Sequence, residues 1–279
     1  MRPERCIKLT LAYDGTDFAG WQRQAGDRSV QETLEHALGK MHGRPVGVVG
    51  AGRTDAGVHA AGQVAHFHTD IASIAPERFL HALNKLLPRD VRVLASEEAD
   101  PNFNARHDAR LRRYKYFMYA GGAALPWKDR YAWRLPGRPD LAKLNRLAAC
   151  LRGELDCTAF AAAKDPSPHR WRYLHHAVFY AEGDSLVFDV AANAFLWRMV
   201  RSLTGTLIGL ERDGAPDGAL KDILESGERA RAGQTAPARG LFLWEVQYYG
   251  RHAAGVEPLP GGAGPAGGDK RLVPGLGWV

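Results

Sequence analysis

Residues 48–67 read VVGAGRTDAGVHAAGQVAHF, and two incompatible folds fit its opening letters. A strand followed by Gly50-x-Gly52 begins a dinucleotide fingerprint, which would place the chain among doubly wound parallel sheets. The third glycine of that fingerprint falls on Asp55, whose carboxylate would repel a pyrophosphate. The letters that follow also alternate, Val64, His66 and His68 against Ala65 and Phe67, so a strand stands where the fingerprint needs a helix. The other fold makes this segment a Gly-rich loop holding one carboxylate, Asp55, between Arg53 and His59. Glycines at 50, 52 and 57 permit positive φ and let another backbone or a nucleotide come close. By itself, an Asp in a turn equally suits an Asx-turn or a helix cap.

Outward from this loop the pattern is βαββαβ. Alternation over Cys6–Tyr13 predicts a first strand. Ser29 and Glu32 form a capping box for a helix carrying Val30, Leu34, Ala37, Leu38 and Met41 on one face, with Gly43 past its end. Strands are predicted at Val46–Val49 and Gln63–His68, a helix at Pro76–Leu87 and a strand at Val91–Ser96. The order then recurs. Leu111–Tyr119 reads as a strand, Asp140–Arg152 as a helix capped by Asp140 and stopped by Gly153, and Arg172–Tyr180 and Ser185–Val190 as a hairpin through Gly183-Asp184. Phe195–Leu210 is a helix, Asp217–Ser226 a short inserted one, and Leu241–Tyr249 the closing strand. The expected fold is therefore α+β: two tandem ferredoxin-like halves with mostly antiparallel sheets, helices on one face and an active-site cleft between the halves. The expected domains are 1–105, carrying the Asp55 loop, and 106–250; a Gly/Pro-rich tail, expected to be mobile, covers 251–279.

Composition narrows the function. The chain has 279 residues, 45% hydrophobic and 24% charged, enough for a sizeable core. A net charge of +6 leans toward a polyanionic partner. Three cysteines, Cys6, Cys150 and Cys157, without paired spacing argue against a disulfide framework or zinc, and read as small buried hydrophobes in a reducing compartment. The first residues lack a signal-peptide pattern and no apolar run is long enough to span a membrane, so the expected location is cytoplasmic.

Segment 106–115 carries Arg106, Arg110, Arg112, Arg113 and Lys115 among Tyr114, Tyr116 and Phe117. Cations interleaved with aromatics suit RNA, with guanidinium groups on phosphates and rings on bases. Alternation puts Arg112, Tyr114 and Tyr116 on one strand face, and Arg113 and Lys115 on the other. His59, His66 and His68 lack an acid or cysteine at ligand spacing and read as core or RNA-facing residues. Glu97-Glu98, Glu154 and Asp156 read as surface acids or caps.

The stretch GRTDAGVHAAGQVAHF resembles the active-site signature of the tRNA pseudouridine synthase A (TruA) family. LAYDGTDFAGWQRQ, NFNARHDARLRRYKYFMY (102–119), LRGELDCTAF (151–160), ANAFLWRMVRSLTG (192–205) and APARGLFL (236–243) resemble further family segments in the family's order. The resemblance implies that Asp55 is the catalytic aspartate, that Tyr114 stacks on the target uracil, that Arg201 pairs with the carboxylate and that Arg53 helps extrude the nucleotide. Arg53, Arg106, Arg112, Arg113 and Tyr114 are the expected substrate-binding set. Where the family usually carries two histidines, this chain has Trp197-Arg198. The implied activity is isomerisation of uridine to pseudouridine in the anticodon stem-loop of tRNA, at nucleotides 38 to 40, by a homodimer in which one tRNA contacts both subunits. Breaking the C1′–N1 bond, turning the uracil and rejoining it through C5 requires no cofactor and no metal. A carboxylate suffices to stabilise the positive charge at the sugar. The competing readings are a catalytically silent RNA-binding relative or RNA chaperone, and a nucleotide-cofactor enzyme using the Gly-rich loop.

Overall fold

The computed structural model describes residues 4–248 and two two-residue strands, Leu272–Val273 and Gly277–Trp278, which pair antiparallel. The tail read at 251–279 otherwise lies outside the described residues. The chain is a mixed α/β protein with mostly antiparallel strands, and it divides into two compact units. Among the described residues, one unit holds those up to Arg110 and those from Leu243 to Tyr248; the other holds Leu111–Phe242.

In the first unit the elements run β1 (Arg5–Tyr13), α1 (Val30–His42), β2 (Val49–Gly50), β3 (His59–Thr69), α2 (Phe79–Leu86) and β4 (Val91–Ala99). The central strand β1 pairs antiparallel with both β3 and β4, and β2 pairs with β3. Ile7, Leu9 and Leu11 of β1, Leu34 and Leu38 of α1, and Phe67 and Phe79 are all buried, the two rings edge-on with centroids 5.4 Å apart. Of the predicted capping box the Ser29 half forms, its hydroxyl accepting from Glu32 N–H, and Gly43 closes α1 in the left-handed region at φ 67°. The predicted helix at Pro76–Leu87 resolves into a 3₁₀ turn, Pro76–Arg78, leading into α2.

The second unit contains β5 (Leu111–Ala120), α3 (Pro126–Asp129), β6 (Trp133–Leu135), α4 (Leu141–Ala148), β7 (Gly153–Asp156), β8 (Trp171–Glu182), β9 (Ser185–Ala192), α5 (Met199–Arg212) and α6 (Ala219–Ser226). Its strands are ordered β5-β9-β8-β7, with β6 parallel to β5. The last strand, β10 (Leu241–Gln247), straddles the division between the units. Asp140 caps α4 as expected, but the helix stops at Ala148, and Gly153 opens β7 instead of ending the helix. The helix expected from Phe195 begins only at Met199, because Arg198 takes a left-handed φ of 62° that breaks the helical run.

Two asparagines treat their strands alike. Asn84 of α2 accepts from Val93 N–H at 2.9 Å and donates to Val93 C=O at 2.8 Å. Asn145 of α4 does the same to Phe179, at 2.8 and 2.9 Å. Each primary amide thus satisfies both peptide groups of one strand residue.

Candidate active site

The loop carrying Asp55 leaves β3's neighbour one rung at a time. Val49 and Gly50 pair with His66 and Ala65, and Ala51 N–H donates to Val64 C=O at 2.8 Å. The next rung is made by a side chain. Gln63, fully buried, accepts from Gly52 N–H at 3.2 Å and donates to Gly52 C=O at 2.7 Å. Beyond Gly52 the loop is tied to residues 13–21: Tyr13 hydroxyl lies 2.8 Å from Thr54 Oγ1, Trp21 N–H donates to Thr54 C=O at 3.1 Å, and Gly57 N–H donates to Phe18 C=O at 3.3 Å. Gly20 and Asp55 form a β-bridge. Two glycines show the two reasons anticipated for them. A Cβ at Gly50 would lie 2.4 Å from the Trp21 indole, and Gly57 has φ 76°. The outcome is a half-buried Asp55 on a backbone bonded on both sides, with Arg53 exposed beside it.

The turn at 103–109 is equally fastened. Asn104 Oδ1 accepts from the N–H groups of Arg106 and His107, and Asp108 Oδ2 accepts from Asn104 N–H at 2.7 Å. Ala105 N–H donates to His66 Nδ1 at 3.1 Å, and Ala105 C=O accepts from the Tyr248 hydroxyl at 2.7 Å. This geometry presents Arg106, His107 and Arg110 outward. Partial desolvation, then the like charge of Arg106, pull the Arg53 guanidinium below its ordinary pKa; the two cations therefore lie within electrostatic reach of each other.

In the second unit, Tyr114 is buried on β5, its ring edge-on to Phe195 with centroids 5.1 Å apart. Arg201 lies in the first turn of α5, its Nε donating to Ala236 C=O at 2.8 Å while its own C=O accepts from Ala236 N–H at 3.0 Å. The Tyr116 hydroxyl donates to Pro237 C=O at 2.7 Å, and burial raises its pKa against the pull of Arg201 and Arg239. Segment 236–240 is thus a backbone cradle for one cation and one ring.

The cations of β5 are largely spent inside this unit. Arg112 donates to Asn193 C=O at 2.7 Å, and Lys115 is buried, its ammonium 5.8 Å over the Tyr180 ring. Arg113 grips Asp189 with Nε at 2.9 Å and Nη2 at 2.6 Å, while His176 Nε2 stands 3.0 Å from the same carboxylate. Desolvation pushes the Asp189 pKa up, but the hydrogen bonds of His176 and Arg113 override it and hold the group at about 2.

Trp197 and Arg198 also have defined places. Trp197 N–H donates to the Asp165 carboxylate, and the Arg198 guanidinium sits 5.0 Å over the Trp197 ring. All three cysteines are free, Cys6 and Cys157 are buried, and burial lifts the Cys157 thiol to about 12. Among the described residues no group of three or more His, Cys, Asp or Glu is placed to hold a metal ion, and no helix is long and apolar enough to cross a membrane.

Sequence reasoning missed Gln63, Tyr13 and Trp21 as holders of the Asp55 loop. The available signal was a glutamine in the middle of an otherwise Ala/Val/Phe strand, where a buried amide must find partners.

The mixed α/β fold thus holds Asp55 on a loop fastened by Gln63, Tyr13, Trp21 and Phe18, with Arg53 and Arg106 within electrostatic reach of each other. The family described as tRNA pseudouridine synthase matches residues 10–108 and 147–249. The tRNA pseudouridine synthase A of Treponema denticola is 48% identical over 250 residues, covering 88% of this chain and 93% of that protein. Those of Treponema pallidum (strain Nichols) and Moorella thermoacetica are each 42% identical, covering 84% and 87% of this chain and 85% and 99% of their own lengths. The chain belongs to the tRNA pseudouridine synthase family. It is an isomerase that makes pseudouridine in tRNA.

Proposed function

We propose that the chain isomerises uridine at nucleotides 38 to 40 of the tRNA anticodon arm, without a cofactor, using Asp55 as its catalytic carboxylate on a base swung out of its stack. The observation that carries this reading is the Asp55 loop itself: a half-buried carboxylate bridged to Gly20, on a loop whose Gly52, Thr54 and Gly57 are bonded to Gln63, Trp21 and Phe18. A polyanion-binding surface has no use for a fixed carboxylate, whereas a cationic sugar does.

In the reaction the C1′–N1 bond breaks, the uracil turns and a C1′–C5 bond forms. The C5 proton departs and N1 gains one, so the base is isomerised with no net change in atoms. Asp55 stabilises the charge developing at the sugar, as an ion or through a covalent bond. Tyr114 stacks on the uracil and Arg201 pairs with the carboxylate. Arg53 occupies the place the base vacates, at a cost of a few kcal/mol for unstacking. Arg106 contacts phosphates. The likeness of the family signature supports these roles, and Arg53 and Arg106 repelling one another marks a place where an anion is welcome. The same reading makes each unit a ferredoxin-like half, supported in the first by the antiparallel pairing of β1 with β4 and β3 and of β2 with β3, and makes the working enzyme a cytoplasmic homodimer contacting one tRNA through both subunits.

The test is incubation with unmodified tRNA, no cofactor and a chelator, followed by mapping of pseudouridine by carbodiimide and primer extension. Asp55→Asn removes charge but little volume. It abolishes product while tRNA affinity stays within about tenfold. Product from Asp55→Asn at a wild-type rate refutes the role, and loss of binding without a separate catalytic defect makes position 55 an RNA contact instead.

A further inference from the structure

Gln63 is buried at 0% exposure in the middle of β3, yet neither of its polar atoms bonds within the sheet. Both go to Gly52, three residues before Asp55. The β2–β3 ladder supplies the rungs Val49/His66, Gly50/Ala65 and Ala51/Val64, and the Gln63 carboxamide supplies the next one in place of a peptide. A primary amide has the same donor and acceptor as a peptide group, but it sits on a flexible stem reaching from the strand. The chain can therefore leave the sheet at Gly52 with its N–H and C=O still paired, and the plane of the amide sets the direction in which residues 53–55 depart.

We propose that Gln63 is a positioning residue for catalysis: its two-way bond to Gly52 fixes the exit of the loop and so the place of the Asp55 carboxylate against the sugar. This rests on Asp55 being the catalytic carboxylate. A reacting group misplaced by about 1 Å can cost on the order of a hundredfold in rate. Only one hinge residue, Arg53, and the tied Thr54 separate the clamp from Asp55. Asn84 and Asn145 make the same two-way bond to strand residues Val93 and Phe179, which supplies an internal control: the identical chemical device serving a strand instead of the loop.

Three variants and Asp55→Asn decide the matter, each read by melting temperature, tRNA dissociation constant and single-turnover rate. Gln63→Met keeps the shape and loses both bonds; its rate falls about a hundredfold at every pH while tRNA affinity changes less than threefold. Gln63→Glu keeps the acceptor, but its carboxylate faces the Gly52 carbonyl. Protonation restores a donor, so its rate relative to the unsubstituted enzyme climbs as pH falls from 8.5 to 6, a profile that a merely structural role does not generate. Asn84→Asp lowers the melting temperature and leaves the rate within about twofold.

Gln63 variants that keep turnover within about twofold, or a Gln63→Glu pH profile parallel to the unsubstituted enzyme, overturn the proposal. So does loss of folding in both Gln63 variants, since the residue would then serve the fold alone. If Asp55→Asn is inactive while the Gln63 variants are normal, the catalytic carboxylate stands and only the positioning claim is lost. If Asp55→Asn turns over normally, the reading beneath it has failed as well.

Discussion

Strands β3 and β5 both carry polar residues through a buried core, and they spend them in opposite ways. On β3 every buried polar side chain reaches out of the sheet to the backbone of a loop. His59 Nδ1 accepts from Gly15 N–H at 3.0 Å, Gln63 holds Gly52, His66 accepts from Ala105 N–H, and Thr69 Oγ1 accepts from Ile71 N–H at 3.1 Å. On β5 the charges turn inward: Arg113 is locked to Asp189 on β9, and Lys115 is buried over Tyr180. One strand is a rack from which loops hang; the other is a self-contained electrostatic cluster. A cation in the sequence is therefore not yet a cation available to RNA.

The largest effect that would break this comparison is on β5. Asp189→Asn removes a carboxylate that is 2% exposed and leaves Arg113 without its counter-charge. Urea unfolding should show a loss of about 3 kcal/mol, the lower end for a broken buried pair because Arg113 is itself partly solvated. A held-down carboxylate stabilises the fold above its ordinary pKa. This contribution is intact above 3.8 and disappears as pH falls from there toward 2. Unchanged stability in the variant would mean the cluster is passive.

A smaller effect tests β3. Desolvation, with the repulsion of His68, lowers the His66 pKa, so the folded state takes up a proton less readily than the unfolded chain. Stability is then full above 6.5 and declines as pH drops below it, because the unfolded state binds the proton first. His66→Leu strands the Ala105 N–H and costs about 1–3 kcal/mol near neutrality. It also flattens the melting-temperature profile below 6.5, and a profile as steep as the parent's would remove His66 from the account.

The smallest expected change sharpens the contrast between the strands' cations. Arg106→Ala, on the outward turn, weakens tRNA binding severalfold and lowers the salt slope by about one. Arg113→Ala leaves affinity within about twofold and costs stability. Equal losses of affinity would mean that the Asp189 pair opens to receive phosphate.

What the letters disclosed and withheld follows the same division. Local devices were legible: the Ser29 cap, the Asp140 cap and the Gly183 turn each need only neighbours in sequence. So was the loop around Asp55, because a carboxylate at the third glycine position and the strand after it contradicted a dinucleotide fold. Devices requiring distant partners were not. The late start of α5 depends on Asp165, 32 residues before the Trp197 it binds, and on a left-handed Arg198 that no periodicity announces. β7 is four residues long with Glu154 and Asp156 on it, too short and too polar to be seen as a strand. The role of Gln63 is invisible until Gly52 lies beside it.

The paired amides of Asn84 and Asn145 each occupy an outward-facing rung of a strand in their own unit. β4 and the far part of β8, past the four residues that β7 covers, would otherwise offer open rungs to any extended peptide. At Val93 and Phe179 those rungs are already taken by a helix-borne carboxamide, so a neighbouring molecule cannot zip on in register. An enzyme that must stay dispersed among many long polyanions thereby carries its own stoppers against ribbon growth, each costing it a single asparagine.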